Sequence, residues 1–355
     1  MNASIKGVLA IMMPLVMSCS SCGSSAAPSK TPNVDPFPGK TLASAYADYF
    51  DIGAAVTTGE WGFNSLSHYP VKLMGEFSSL TAENNMKPDG LQRTKGQFNW
   101  TFGQRLVDYT QKRDMRMRGH TLVWHNQSPD WMAKNAGSKE SARENMKAHI
   151  DEVLGKWDES LIYCWDVVNE AINDGPESVY RTKSPWYQVY GGPEFIRDAF
   201  AFARAANPKA KLFYNDYNVV NQPKRDHIVT MLNELKLVED GLIDGIGMQA
   251  HWDMDWPSIE TIDETIKTFA AMGLTIHITE LDIKAKKDQQ EALTERYRQI
   301  FEVFRANKDA IESVTFWGVA DDHTWLTNFT GYVNYPFVFD TAGKPKPAYY
   351  AIRDF

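Results

Sequence analysis

From residue 50 onward, short apolar runs alternate with longer segments whose apolar positions recur at helical spacing. The short runs lie at 52–56, 79–83, 115–124, 162–169, 211–216, 245–249, 275–281 and 313–317. The helical segments lie at 103–112, 139–155, 194–206, 223–238, 258–272 and 289–307. Asn207-Pro208 closes one of these helices, Ser258 caps the start of another, and Gly273 follows that one's end. The strand runs lack clean alternation, the pattern of a sheet covered on both faces. Eight β–α repeats predict an α/β fold, a (β/α)8 TIM barrel forming a single domain over residues 40–355. A doubly wound open sheet is the alternative. No G-x-G-x-x-G or P-loop follows any strand, which counts against it.

The first residues follow a different pattern. Lys6 precedes an apolar stretch at 8–17, too short to span a bilayer and placed like the core of a signal peptide. It runs into Leu15-Val16-Met17-Ser18-Cys19. That ending resembles a bacterial lipoprotein cleavage box, so residues 1–18 are expected to be removed and Cys19 lipidated. Plain secretion, or use of Cys22, is the alternative. Residues 19–39 are rich in Ser, Pro, Gly and Ala and read as a flexible tether. The expected location is the cell envelope, with membrane contact only through the lipid.

Composition narrows the function classes. The chain has 37 basic and 45 acidic residues, a net charge of −8, and no basic cluster, which speaks against a nucleic-acid partner. Three cysteines make no disulfide scaffold, and Cys164, inside an apolar run, reads as a buried thiol. His120 and His125 lie on a strand and lack the helical spacing of a zinc site. No metal and no cofactor are expected. Eleven tryptophans suit a flat, partly apolar ligand.

Chemistry in such a barrel collects at the C-terminal strand ends, and here seven of the eight ends carry polar or aromatic side chains. Taken singly, a strand-end Glu is usually a solvated carboxylate and a Trp usually packs; Trp157 and Trp165 read that way. Taken together they point to a site. Glu170 and Glu280 end the fourth and seventh strands, and two carboxyls facing each other across a barrel mouth are the tools of glycoside hydrolysis. One must hold a proton and the other stay ionised. Asn169 can hydrogen-bond a sugar hydroxyl, while His251 and Asp282 can orient Glu280. Trp124, Trp317 and Trp325 offer faces for sugar rings. Glu83, Asn84, Lys87, His120 and Gln249 supply polar contacts.

Six motifs occur in order: Glu83-Asn84-Asn85-Met86-Lys87-Pro88, Arg118-Gly119-His120-Thr121-Leu122-Val123-Trp124-His125, Trp165-Asp166-Val167-Val168-Asn169-Glu170-Ala171, Gly247-Met248-Gln249-Ala250-His251, Ile278-Thr279-Glu280-Leu281-Asp282 and Thr315-Phe316-Trp317-Gly318-Val319-Ala320-Asp321. With them the chain, from about residue 42 to its end, resembles the glycoside hydrolase family 10 endo-β-1,4-xylanases. The resemblance implies a retaining enzyme acting on xylan and xylo-oligosaccharides, with Glu170 as acid/base and Glu280 as nucleophile. It implies that Glu83, Asn84 and Lys87 bind xylose on the non-reducing side of the cut. His120, Trp124, Asn169 and Gln249 would line the sugar being cleaved. Trp317 and Trp325 would roof it, with Gln127 nearby. Val219-Val220 stands where many relatives carry a carboxylate. The chain is taken as a monomer. Two rival readings stay open: a β-glucanase or mannanase using the same chemistry, and a non-catalytic glycan-binding lipoprotein.

Overall fold

The computed structural model describes residues 39–59 and 62–355. The expected leader, Cys19, Cys22 and all of the tether but Gly39 lie outside the described residues.

Among the described residues, eight parallel strands close into a barrel: β1 (Asp51–Val56), β2 (Ser79–Ala82), β3 (Arg116–Trp124), β4 (Cys164–Asn169), β5 (Lys211–Asp216), β6 (Gly245–Met248), β8 (Thr275–Ile283) and β9 (Ile311–Phe316). A two-residue strand, β7 (His251–Trp252), pairs with the far end of β8. The hydrogen-bonded order runs from β6 back to β1, then β9, β8 and β7, and the β6–β8 pairing completes the ring. Closure removes every long free edge.

Apolar strand residues such as Ile52, Leu80, Leu212, Ile246 and Val314 are fully buried, because the strands are covered on both faces. The covering helices include Thr101–Gln111, Lys139–Lys156, Glu194–Ala206, Gln222–Glu234, Ile259–Ala270 and Gln290–Ala306. Each buries one apolar stripe; Phe195, Ile196, Ala199, Phe200 and Ala203 form that of Glu194–Ala206. Ser258 caps its helix as expected, accepting from Thr261 N–H at 3.2 Å. Trp157 and Trp165 are fully buried, and Cys164 is a free, buried thiol.

Where the strands end decides where the site lies. The apolar run expected to continue through Gln249 stops at Met248, because Ala250 takes a positive φ of 62° and turns the chain. β7 then restarts against β8, pairing His251 with Asp282 and Trp252 with Ile283. This extends β8 two residues beyond its expected end. β4 ends in the same way, at Asn169, because Glu170 takes φ 55° and turns the chain. Residues other than Gly and Asn seldom adopt that region, so both turns are held by their surroundings.

Candidate active site

A cleft of about 680 Å³ opens at the C-terminal ends of the strands. Glu83, Asn84, Lys87, His120, Trp124, Gln127, Asn169, Glu170, Gln249, His251, Glu280, Trp317 and Trp325 all line it. Asp282 lies beneath, fully buried. Residues from seven strand ends thus converge on one cavity.

Glu170 is held through both carboxyl oxygens. Trp124 Nε1 donates to Oε2 at 2.9 Å and Gln249 Nε2 to Oε1 at 3.0 Å. Trp124 is anchored in turn, its carbonyl accepting from Trp186 Nε1 at 3.1 Å. Glu280 is also bound at both oxygens: Asn215 Nδ2 donates to Oε1 at 2.8 Å, and His251 Nε2 lies 3.1 Å from Oε2. His251 Nδ1 meets Asp282 Oδ1 at 2.9 Å, and Asp282 Oδ2 accepts from Trp325 Nε1 at 2.8 Å. Asn169 stands between the two carboxyls, its Oδ1 accepting from Asn215 at 3.0 Å and from Gln249 at 3.3 Å. Turning this amide over would instead point its nitrogen at the Asn215 carbonyl and its oxygen at Trp124. The unturned orientation avoids placing the Asn169 and Asn215 amide nitrogens against each other and leaves Trp124 on Glu170.

The charges follow from this wiring. Burial opposes a proton on His251, but the carboxylates of Asp282 and Glu280 outweigh it and push the imidazole up to about 10. Burial alone would raise Glu280. The hydrogen bond from His251, the charges of His120 and His251, and the Asn215 bond outweigh burial and hold Glu280 below the ordinary glutamate value. Glu280 is therefore an ionised, oriented carboxylate at neutral pH. Beyond it, Lys87 Nζ donates to Asn84 and Gln127, each at 2.9 Å, and lies 4.9 Å from the Trp124 ring. Burial lowers this lysine, with Glu280, Glu83 and Glu170 pulling it back.

Gln127, expected beside the tryptophan roof, bonds to Asn84 at 3.2 Å as well as to Lys87, and so belongs to that polar group. Glu83 meets His323 at 3.2 Å, and His323 stacks on Phe63 at 4.2 Å. His120 Nδ1 lies 2.9 Å from Asp166, and the His120–Thr121 peptide bond is cis. Val219 and Val220 are buried and bring no polar group to the cleft.

Sequence reasoning missed Asn215, which touches Glu280 and Asn169 together. Its signal was the polar end of the fifth strand, one asparagine among several. Tyr217, Asn218, Lys284 and the exposed Phe329 also line the cleft and were not singled out.

The model of Glycosyl hydrolase family 10 matches residues 41–355. A β-1,4-xylanase of Dictyoglomus thermophilum is 39% identical over 331 residues, covering 89% of this chain and 91% of the relative. An endo-1,4-β-xylanase of Geobacillus stearothermophilus is 40% identical over 333 residues, covering 88% and 97%. The solved xylanase of Paenibacillus barcinonensis, complexed with a conduramine derivative, superposes with a TM-score of 0.82 at 37% identity, covering 89% of this chain and 98% of that one. The barrel, its converging strand ends and a family match over nearly the whole described region agree: this chain belongs to glycosyl hydrolase family 10.

Proposed function

We propose that the protein is an endo-β-1,4-xylanase that cleaves xylan with retention of configuration. Glu170 is the acid/base and Glu280 the nucleophile. The observation that carries this reading is the contrast between the two carboxyls. Glu280 is pinned between Asn215 and a protonated His251, which keeps it ionised for attack on the anomeric carbon. Glu170 is instead met by the neutral donors Trp124 and Gln249, with no imidazole among the described residues bonded to its carboxyl, and this second carboxyl is the one assigned the acid/base role at the leaving oxygen. After the first displacement Glu170 is a carboxylate, activates water and releases the glycosyl group.

Glu83, Asn84, Lys87 and Gln127 form the polar group that binds xylose on the non-reducing side, and His120, Asn169 and Gln249 contact the sugar being cleaved. Trp124, Trp317 and Trp325 supply its apolar walls, with the two latter rings crowding the place of a C5 hydroxymethyl. Such a wall discriminates by ~1–3 kcal/mol, so xylan is favoured over β-glucan without total exclusion.

Proton NMR of xylohexaose hydrolysis tests the mechanism. New reducing ends should first appear as the β-anomer. Early α-anomer means inversion and wrong roles for the two carboxyls. Release of reducing ends from mannan or β-glucan but not xylan selects the other specificity, and xylan binding with no release at all selects the glycan-binding reading. Export with lipidation at Cys19 rests on the leader pattern; mass spectrometry of the mature N-terminal peptide checks it, and an unmodified Cys19 there rejects it.

A further inference from the structure

Glu170 has φ 55°, a conformation a glutamate does not hold unaided. Its N–H donates to the Asn215 carbonyl at 2.9 Å. Its own carbonyl accepts from Arg181 Nε at 2.9 Å. Arg181 lies in the loop beyond β4, where its backbone N–H also donates to the Ala171 carbonyl at 2.8 Å. The guanidinium then carries the contact outward. Nη2 donates to the Tyr217 hydroxyl at 2.8 Å, and that hydroxyl donates to Asp174. Asp174 accepts from Lys224 at 2.8 Å, and Lys224 Nζ lies 2.7 Å from Asp216. Asp216 accepts from the Tyr214 hydroxyl at 2.5 Å. The Tyr214 oxygen accepts the N–H groups of Ala171 and Ile172, each at 3.0 Å. The network therefore leaves the Glu170 carbonyl and returns to the next two peptide units.

We propose that Arg181 is a positioning residue for Glu170, clamping its left-handed turn so that the carboxyl reaches the leaving oxygen. A planar guanidinium suits this task because its Nε and Nη2 donors are fixed relative to each other, so carbonyl and Tyr217 are held at one spacing. The inference rests on Glu170 being the acid/base.

Leaving-group dependence tests it. kcat/KM reports glycosylation, and that step needs an acid only when the leaving group is poor. Arg181→Ala and Glu170→Ala are compared on phenyl and 2,4-dinitrophenyl β-xylobiosides. Arg181→Ala is expected to lower kcat/KM on the phenyl substrate about 100-fold, the scale of a small misplacement. On the dinitrophenyl substrate it stays within about three-fold of wild type, since no proton is required there. Where Arg181→Ala is recovered unfolded, Arg181→Lys keeps the charge but not the two fixed donors and shows the same selectivity at smaller size. Equal loss on both substrates means a merely structural arginine and overturns the proposal, as does no loss on either. If Glu170→Ala itself shows no leaving-group selectivity, the acid/base assignment fails and the clamp falls with it. If Glu170→Ala is selective and the clamp variants are not, only the clamp fails.

Discussion

Asn215 is the residue on which the two carboxyls come closest to sharing a support. Its Nδ2 serves Glu280 and Asn169, and its Oδ1 accepts from Thr279 Oγ1 at 2.6 Å, which fixes the amide. Asn215→Ala leaves Glu280 with one hydrogen bond fewer in a buried place. A hydrogen bond to a charged group contributes about 1.5–3 kcal/mol, so kcat/KM should fall about 10- to 100-fold. The lost donor also raises Glu280, and the acid limb of the kcat/KM profile moves to higher pH. An unmoved limb would show that Asn215 does not hold the nucleophile's charge. Residues of this kind are hard to read from sequence. Glu170, Glu280 and His251 stand out because their chemistry is specific, whereas Asn215 shares its strand end with Asp216, Tyr217 and Asn218, and only the register of β5 against β4 and β6 shows which one faces the centre.

At the scale of the element, periodicity located all eight barrel strands but not where each one stops. The helix expected over 223–238 ends at Glu234: Leu235 and Val238 keep helical spacing, yet Lys236 takes φ 51° and the chain turns. The short β7 was invisible because two residues carry no period, and because alanine at a left-handed turn gives no signal. Gly119 on β3 lies against Trp165 on β4, and a Cβ added there would sit 2.1 Å from Trp165 Cδ2. Gly119→Ala should therefore destabilise the fold by about 3 kcal/mol or more through overpacking. It should also disturb His120, the next residue. Urea unfolding measures the first effect, and a midpoint equal to wild type would mean that Trp165 moves aside freely.

Across the whole molecule, paired groups run through the barrel from floor to mouth. At the floor, Glu312 accepts from Lys211 at 2.8 Å and from Arg116 at 3.1 Å. It also meets His277 Nε2 at 3.2 Å. His277 Nδ1 accepts from Arg118 Nε at 3.0 Å, so its proton sits on Nε2. Arg118 Nη2 donates to Asp166 at 2.6 Å, and Asp166 meets His120 at the cleft. Burial pulls His277 down, Glu312 pulls it up and Arg118 pulls it down again, leaving it at about 4; burial alone takes His149 to about 3. An unfolded histidine titrates near 6.5, so below that pH the unfolded chain takes protons that these two native sites refuse. Their contribution is complete above about 6.5 and is lost as pH falls toward 4 and 3. His251, raised to about 10, works in the opposite sense: its contribution is complete below about 6.5 and is lost as pH rises toward 10. The contribution of these three histidines, taken together, is greatest near 6.5. His277→Gln removes one acid-side term, on the order of 3 kcal/mol at full effect. Urea midpoints taken from pH 7 down to 4 should fall less steeply in the variant than in wild type. Parallel slopes would mean that His277 is already charged in the native barrel, and that the line from Glu312 to His120 is wired differently.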